Sequence, residues 1–220
     1  MGRLDELADA AFIAGVAREL GQSSLEGAPD AFLVGLSNGA TFAEHLVRRD
    51  LIAARGLVLV GGTAREISRR TAPRLSSRCD LLLIVGTKDP SVPYAGGRAS
   101  GLGGWMASRR ARALLKNPAG RESGSAERVA QDWAEVNGCS KTPGVERLLT
   151  EGGDVTAEWL TWPACNGAST LLIRILGGGH GWPGGPQYAP RVLIGRISRS
   201  LDATGEAIRF CAERSSRLLD

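Results

Sequence analysis

AFLVGLSNG, residues 31–39, is the stretch of this sequence that decides its fold. Residues 31–34 are all apolar, which predicts a short strand over Ala31–Leu36. They run directly into Gly35-Leu36-Ser37-Asn38-Gly39, after which a helix is predicted over Asn38–Arg49. A strand that passes through a glycine-flanked serine into a helix has the layout of a nucleophile elbow, a strained turn that exposes a serine hydroxyl.

The elbow pattern is weak when it stands alone, because a serine in an ordinary glycine-rich turn has the same five residues. If the turn is an elbow, both Gly35 and Gly39 should be needed: the backbone is strained there and the helix packs close to the strand. The five residues alone do not distinguish an elbow from an ordinary turn, but the rest of the chain does.

The other strands predicted along the chain are short, apolar and bounded by glycine, as in a parallel sheet that is covered on both faces. They are Leu57–Val60, Asp80–Gly86 and Leu171–Leu176. Their alternation with helices predicts an α/β fold with a doubly wound, mostly parallel sheet. A length of 220 residues suits one domain over residues 1–220. In such a sheet ligands bind at the carboxyl ends of the strands.

Four further segments complete the predicted organisation. Val145–Leu149 and Val155–Thr161 form a small β-hairpin excursion, and Leu201–Leu218 forms the closing helix. The first 20 residues form an amphipathic helix, since Leu4, Leu7, Ala11, Phe12, Val16 and Leu20 follow helical spacing. Residues 96–124 are rich in Gly, Arg and Ala and are predicted to be a mobile insertion with a helix near Met106–Leu115.

Composition and charge argue against several classes of protein. The net charge is +4, but the arginines are scattered among acidic residues, which argues against nucleic-acid binding. No apolar run approaches the ~18 residues that span a membrane, and acidic residues interrupt the N-terminal segment, which is unlike a signal peptide.

The four cysteines lack metal-ligand spacing, and no dinucleotide or phosphate-loop motif follows a strand, so neither a metal nor a cofactor is predicted. Cys79 and Cys211 are expected to be small core residues.

A serine nucleophile needs a base, and the chain has two histidines. His45 lies eight residues beyond Ser37 on the same predicted helix, about 12 Å away along its axis. It is therefore expected to be an ordinary helix residue. His180 follows the last predicted strand in GGGHGWPGG, residues 177–185, where glycines allow a sharp turn at the carboxyl edge of the sheet. His180 is thus the candidate base.

The carboxylate that orients the base should also follow a strand. Asp89, in GTKDPSVPY at residues 86–94, fits, and two prolines stiffen its loop. The alternative is that Asp89 only starts an Asp-Pro turn. Asp80 precedes its strand, while Asp132 and Asp154 fall on a helix and in a hairpin turn. The chain order Ser37, Asp89, His180 is that of an α/β-hydrolase triad.

Together these segments resemble the polyhydroxybutyrate depolymerase and feruloyl (acetylxylan) esterase-like branch of the α/β-hydrolases. The resemblance covers nearly the whole chain outside residues 96–124. Its segments are residues 35–39, 86–94 and 177–185, Trp133 with Asn137-Gly138-Cys139, and a terminal helix with Asp202, Ala203 and Phe210.

The resemblance implies an α/β-hydrolase fold with Ser37 as nucleophile, Asp89 as acid and His180 as base, and it suggests a Cys139–Cys165 disulfide. Members normally have more strands before the elbow, including a His-Gly loop that supplies one oxyanion donor. This sequence shows neither, so a shortened N-terminal part is expected. The backbone N–H of Asn38 is then the remaining donor. Members are commonly exported, yet no export signal is seen, so localisation stays open.

The sequence therefore predicts a serine carboxylic-ester hydrolase. The resemblance implies that its substrate is a small or polymeric ester, such as a polyhydroxyalkanoate or a feruloyl or acetyl ester. Trp182 is a candidate wall of the substrate pocket or, equally, a core tryptophan. One alternative is a weakly active or non-catalytic hydrolase-like module that forms a homodimer through an exposed sheet edge. A thioesterase or peptidase with the same triad is another alternative.

Overall fold

The computed structural model describes residues 3–19, 31–63, 78–98, 122–149, 155–164 and 167–215. Within these ranges the elements are α1 (Arg3–Glu19), β1 (Phe32–Leu36), α2 (Asn38–Arg48), β2 (Gly56–Val60), β3 (Asp80–Gly86), β4 (Gly97–Arg98), β5 (Glu122–Ser123), α3 (Ala126–Val136), β6 (Gly144–Leu149), β7 (Val155–Trp162), β8 (Thr170–Ile175), α4 (Arg191–Ile194) and α5 (Ala203–Ser215).

Six strands form one sheet in the order β1-β2-β3-β8-β7-β6. The pairings among β1, β2, β3 and β8 are parallel, whereas β7 pairs antiparallel with β8 and β6 with β7. The predicted α/β class and mostly parallel sheet are confirmed, and each strand of the parallel set lies within one residue of its predicted bounds. The hairpin is not a separate excursion, because it extends the main sheet at its far edge.

Helices cover both faces of the sheet. Alternate residues of β2 and β3, such as Leu59 and Leu83, pack against α2 and α3 on one face. The residues between them, such as Val58 and Ile84, pack against α5 on the other. All seven residues of β3 are buried, and each buried aliphatic side chain contributes about 1.5–3 kcal/mol. The continuous apolar run of β3 therefore follows from its place in the middle of three layers.

The Trp133 and Asn137 segment of the resemblance makes structural contacts. Trp133 is fully buried, and its indole N–H donates to Glu44 Oε1 at 2.9 Å, which joins α3 to α2. Asn137 donates to the carbonyl of Cys79 at 2.8 Å and so joins the end of α3 to the start of β3. The first contact fixes the helix that follows the candidate elbow, and the second fixes α3 against the central strand.

Cys79 is buried, as predicted for a core residue. Cys211, on α5, is only half-buried and packs against the edge of the core on that side of the sheet. Cys139 Sγ lies 3.3 Å from the carbonyl oxygen of Ala168. Cys165 falls outside the described ranges, so the Cys139–Cys165 disulfide stays a prediction. The expected insertion helix near Met106–Leu115 also lies outside them; its flanks, β4 and β5, pair antiparallel.

Among the described residues, β1 is the outermost strand at its end of the sheet. Phe32 packs edge-on against Phe210 of α5, with ring centroids 6.3 Å apart, but Val34 on the same strand is 52% exposed. The N-terminal segment is helical as predicted, yet Phe12 and Val16 of α1 are exposed. No helix in the described part is both long and apolar enough to cross a membrane.

Candidate functional site

Three loops at the carboxyl edge of the sheet carry the candidate residues. Ser37 directly follows β1, Asp89 lies three residues after β3, and His180 lies five residues after β8. These strands run parallel, so their carboxyl ends meet at one edge. The structure brings the three side chains together there, although up to 143 residues separate them in sequence.

Ser37 has the strained backbone expected of an elbow. Its dihedral angles are φ 55° and ψ −117°, and Asp50 is the only other described non-glycine residue with positive φ. Such a conformation costs about 1–3 kcal/mol and persists only where surrounding contacts impose it. One contact is the hydrogen bond from Ser37 N–H to the carbonyl of Val60, at 2.8 Å, which holds the turn against β2.

Two glycines without room for a side chain allow this turn, but they are not the predicted pair. A Cβ on Gly35 would lie 2.5 Å from the backbone nitrogen of Ala40, and one on Gly62 would lie 2.5 Å from the carbonyl oxygen of Ser37. A Cβ on Gly39, by contrast, would have nothing within 4 Å. The expectation that both flanking glycines are required is therefore wrong for Gly39, and Gly62 of the neighbouring strand end takes that role.

We expect Gly35→Ala to destabilise the fold by about 1–3 kcal/mol, because the new methyl group overlaps the backbone of α2 and cannot be accommodated by rotating a side chain. Gly39→Ala is the matched control: it lies in a helix with open space beside it, so it should be neutral or stabilising by up to about 1 kcal/mol. Urea unfolding monitored by tryptophan fluorescence measures both. Equal stability of the two variants would contradict the crowding at Gly35.

The three side chains form a continuous hydrogen-bonded series. His180 Nε2 lies 2.9 Å from Ser37 Oγ, and His180 Nδ1 lies 2.7 Å from Asp89 Oδ2. Asp89 and His180 are buried, whereas Ser37 is half-buried. Burial strengthens the pairing of carboxylate and imidazole, while the serine hydroxyl remains reachable from solvent. This geometry suits a serine whose proton is taken by an oriented imidazole.

The second oxygen of Asp89 is held by its own loop. Asp89 Oδ1 accepts hydrogen bonds from the backbone N–H groups of Ser91 and Val92, at 2.7 and 2.8 Å. Asp89 does start a turn, as the alternative interpretation expected, but only its Oδ1 atom makes the turn contacts. The turn fixes Oδ1, and that leaves Oδ2 aimed at the imidazole. Turn formation and orientation of His180 are therefore two results of one arrangement.

The loops that carry Asp89 and His180 are joined to each other beyond the ends of β3 and β8. Lys88 N–H donates to the carbonyl of Gly178 at 2.9 Å, and Thr87 N–H donates to that of Ile175 at 2.9 Å. Gly86 approaches Gly178 so closely that any side chain on Gly86 would overlap it. These contacts extend the parallel pairing of the two strands into the loops and set the spacing between Asp89 and His180.

A segment that the sequence did not single out lies over the other side of the His180 loop. We call residues 187–198 the strap. The carbonyls of Ile194 and Arg196 in the strap accept hydrogen bonds from the backbone N–H groups of His180 and Gly179, at 2.5 and 2.7 Å. The strap carries no catalytic motif, and it makes this contact through backbone carbonyls, so the sequence carries no signal for it.

The strap also places Tyr188 beside the candidate base. Its hydroxyl lies 3.4 Å from the carbonyl oxygen of His180. Partial burial raises the pKa of the Tyr188 phenol, and the nearby Asp89 carboxylate raises it further. Tyr188 is therefore expected to stay neutral and uncharged next to the Asp89–His180 pair.

The other predicted residues are placed as follows. Asn38 is the exposed first residue of α2, next to Ser37, so its N–H has no acceptor within the helix. Trp182 packs against the α5-side core and donates to Thr204 Oγ1 at 3.0 Å, which are the contacts of a core tryptophan. Its role in substrate binding stays a prediction. His45 is half-buried on α2, as expected for an ordinary helix residue.

Within the described ranges, no group of three His, Cys, Asp or Glu side chains is placed to hold a metal ion. No protein-family model matches the chain, and a search of curated proteins found no similar sequence. Any assignment of function therefore depends on the geometry of this site and on the sequence resemblance.

Proposed function

We propose that this protein is a serine carboxylic-ester hydrolase of the α/β-hydrolase type, related to the polyhydroxybutyrate depolymerase and feruloyl esterase-like branch. The observation that carries the proposal is the unbroken series from Asp89 through His180 to Ser37, with contacts of 2.7 and 2.9 Å. The strained backbone of Ser37 supports it, because an ordinary glycine-rich turn has no need to hold a serine at φ 55°.

In this mechanism His180 Nε2 accepts the proton of Ser37 Oγ as that oxygen attacks the ester carbonyl carbon. The tetrahedral intermediate collapses when the protonated imidazole gives the proton to the departing alkoxide. The products are an alcohol and an acyl-Ser37 ester. Water then attacks the acyl carbon, His180 accepts its proton, and the carboxylic acid leaves as Ser37 regains its hydroxyl hydrogen.

Asp89 acts on the imidazole and takes no part in the proton transfer itself. By accepting from Nδ1–H it keeps Nε2 unprotonated toward Ser37 and stabilises the imidazolium that forms during attack. The oxyanion of the intermediate is assigned to the N–H of Asn38, at the positive end of α2. A second oxyanion donor is not identified among the described residues. Each such donor contributes on the order of 10²–10³ in rate.

The first experiment is labelling of the wild-type chain with a fluorophosphonate, followed by peptide mass spectrometry. The reagent phosphonylates an activated serine, so we expect one modification per chain, on Ser37. Ser140 and Ser215 are internal controls, since their hydroxyls donate to the carbonyls of Thr142 and Cys211 and contact no histidine, and both should remain unmodified. Absence of label on Ser37, or equal labelling of the control serines, would contradict the proposal. Aryl ester, thioester and amide substrates then distinguish esterase from thioesterase and peptidase activity.

A second candidate function is assembly without catalysis, and one observation favours it. β1 is the edge strand among the described residues, and Val34 on it is 52% exposed. An apolar edge strand is a template for pairing with another chain. Light scattering on the labelled sample separates the two candidate functions. A dimer whose Ser37 resists the fluorophosphonate supports assembly without catalysis. A chain that is fully labelled on Ser37, whether monomer or dimer, supports the hydrolase.

A further inference from the structure

We propose that Gln187 is a positioning residue that holds His180 in line with Ser37 through the strap. This inference rests on the proposed hydrolase function and adds a residue to which no motif points. Its basis is a set of three hydrogen bonds made by one side chain, together with two backbone bonds from the strap to the His180 loop.

The His180 loop needs an external restraint. It contains three glycines before the histidine and one after it, and Gly177 and Gly181 have φ values of 71° and 157°. Glycine loses more conformational freedom on ordering than any other residue, so such a loop has many competing conformations. A displacement of about 1 Å between reacting groups is enough to cost on the order of 10²-fold in rate. The 2.9 Å contact between His180 and Ser37 therefore depends on what fixes the loop.

The strap is the contact that fixes the backbone of His180 itself. Ile194 and Arg196 accept from the N–H groups of His180 and Gly179. The approach is close: a Cβ on Gly179 would lie 2.6 Å from the Cα of Gly195. The strap thus lies directly on the loop, and a shift of residues 194–196 is transmitted to the imidazole.

The shape of the strap is in turn set by Gln187. Its Nε2 donates to the carbonyls of Ala189 and Gly195 at 2.9 and 3.0 Å, and its Oε1 accepts from the N–H of Ile197 at 3.0 Å. One carboxamide therefore closes both ends of a loop that contains the short helix α4 and turns at Gly195, where φ is 73°. Only an amide can make all three hydrogen bonds, because it both donates and accepts. A glutamate side chain has no donor, and a methionine side chain neither donates nor accepts at these positions.

We expect the loss of the Gln187 side chain to change the position of His180 more than the stability of the fold. Gln187 is exposed, so water competes for its hydrogen bonds and their net contribution to folding is small. We expect Gln187→Met to lower kcat for an aryl ester about tenfold, with KM changed less than about twofold, since the loss falls on the reacting groups and not on substrate binding. Gln187→Glu retains the acceptor but turns a carboxylate oxygen toward the carbonyls of Ala189 and Gly195, so its kcat should fall at least as far as that of Gln187→Met.

Gln131→Met is the matched control. Gln131 also uses its carboxamide within the fold, accepting from the indole N–H of Trp162 at 3.0 Å, but it lies on α3 away from the strap. Its kcat should equal that of the wild type. Rates are expressed per serine titrated with fluorophosphonate, so that misfolded chains do not count. If Gln187→Met only reduces the fraction of chains that can be labelled, and kcat per labelled serine stays at the wild-type value, the positioning role is overturned.

Two further measurements decide the inference. If Gln187 acts through His180, then Gln187→Met added to His180→Ala causes no further loss, whereas additive losses would refute the link. Hydrogen exchange of the His180 backbone amide gives a readout without catalysis: Gln187→Met should accelerate it, and unchanged exchange would refute the proposal. A wild type that resists labelling contradicts the hydrolase function alone, because the amide exchange still tests the contact between strap and loop.

Discussion

Replacement of Ser37 by alanine should lower kcat for an aryl ester on the order of 10⁶-fold, as removal of an acyl-transfer nucleophile does in general. Ser37 is the side chain in contact with His180 Nε2, at 2.9 Å, and alanine offers no oxygen for the acyl-enzyme. Steady-state hydrolysis of an aryl acetate measures the loss. Fluorophosphonate labelling should disappear with it.

The fold should survive this substitution. Alanine and serine have the same Cβ, so the strain at φ 55° is unchanged, and the bond from the backbone of residue 37 to Val60 remains. Ser140→Ala is the control, since Ser140 is a half-buried residue beyond the end of α3 and bonds to Thr142. Ester hydrolysis by Ser37→Ala within about tenfold of the wild type would show that another group is the nucleophile.

Replacing both Ser37 and His180 by alanine should lower kcat about as much as replacing Ser37 alone. The two side chains act as one unit, so once the first is gone the second has no further rate enhancement to lose. Independent losses in the double variant would mean that the 2.9 Å contact is not used in catalysis. This comparison tests the pair, whereas the single variant tests only the serine.

Much of the fold was predictable because its strands carry local signals. β2 and β3 are buried on both faces, so each is an uninterrupted apolar run, and β7 and β6 are separated by a turn-forming segment. That Ser37, Asp89 and His180 lie together was predictable for a related reason. Each belongs to a reactive residue type shortly after a strand, and the chain offers only two histidines.

The features that escaped prediction depend on contacts between distant segments. Gly62 is required because the carbonyl of Ser37 lies against it, and nothing near Gly62 in sequence reports that approach. The strap contacts the His180 loop through backbone carbonyls, which any residue type supplies. Gln187 stands out only when its three partners are known. Trp182 was ambiguous because a tryptophan beside a catalytic loop and one in the core have the same sequence context.

Asp89→Asn is expected to reduce kcat on the order of 10⁴-fold, through the tautomer of His180 and without loss of the loop. The site of Oδ1 receives two backbone N–H donors, from Ser91 and Val92, at 2.7 and 2.8 Å. An amide NH₂ cannot accept them, so the carbonyl oxygen of asparagine must occupy that site. Its NH₂ group then takes the place of Oδ2 and donates to His180 Nδ1. The neutral ring carries its proton on Nε2, facing Ser37, and cannot accept another.

The tautomer gives this prediction a direct test. In ¹⁵N spectra of the ring at neutral pH, His180 Nδ1 should be protonated in the wild type and unprotonated in Asp89→Asn. Asp202→Asn is the matched control: Asp202 Oδ1 also accepts a backbone N–H, that of Thr204 at 3.0 Å, but contacts no histidine. Its kcat should be unchanged. If Asp89→Asn keeps Nδ1 protonated and yet loses activity, the two backbone donors do not fix the amide, and Asp89 contributes mainly through its negative charge.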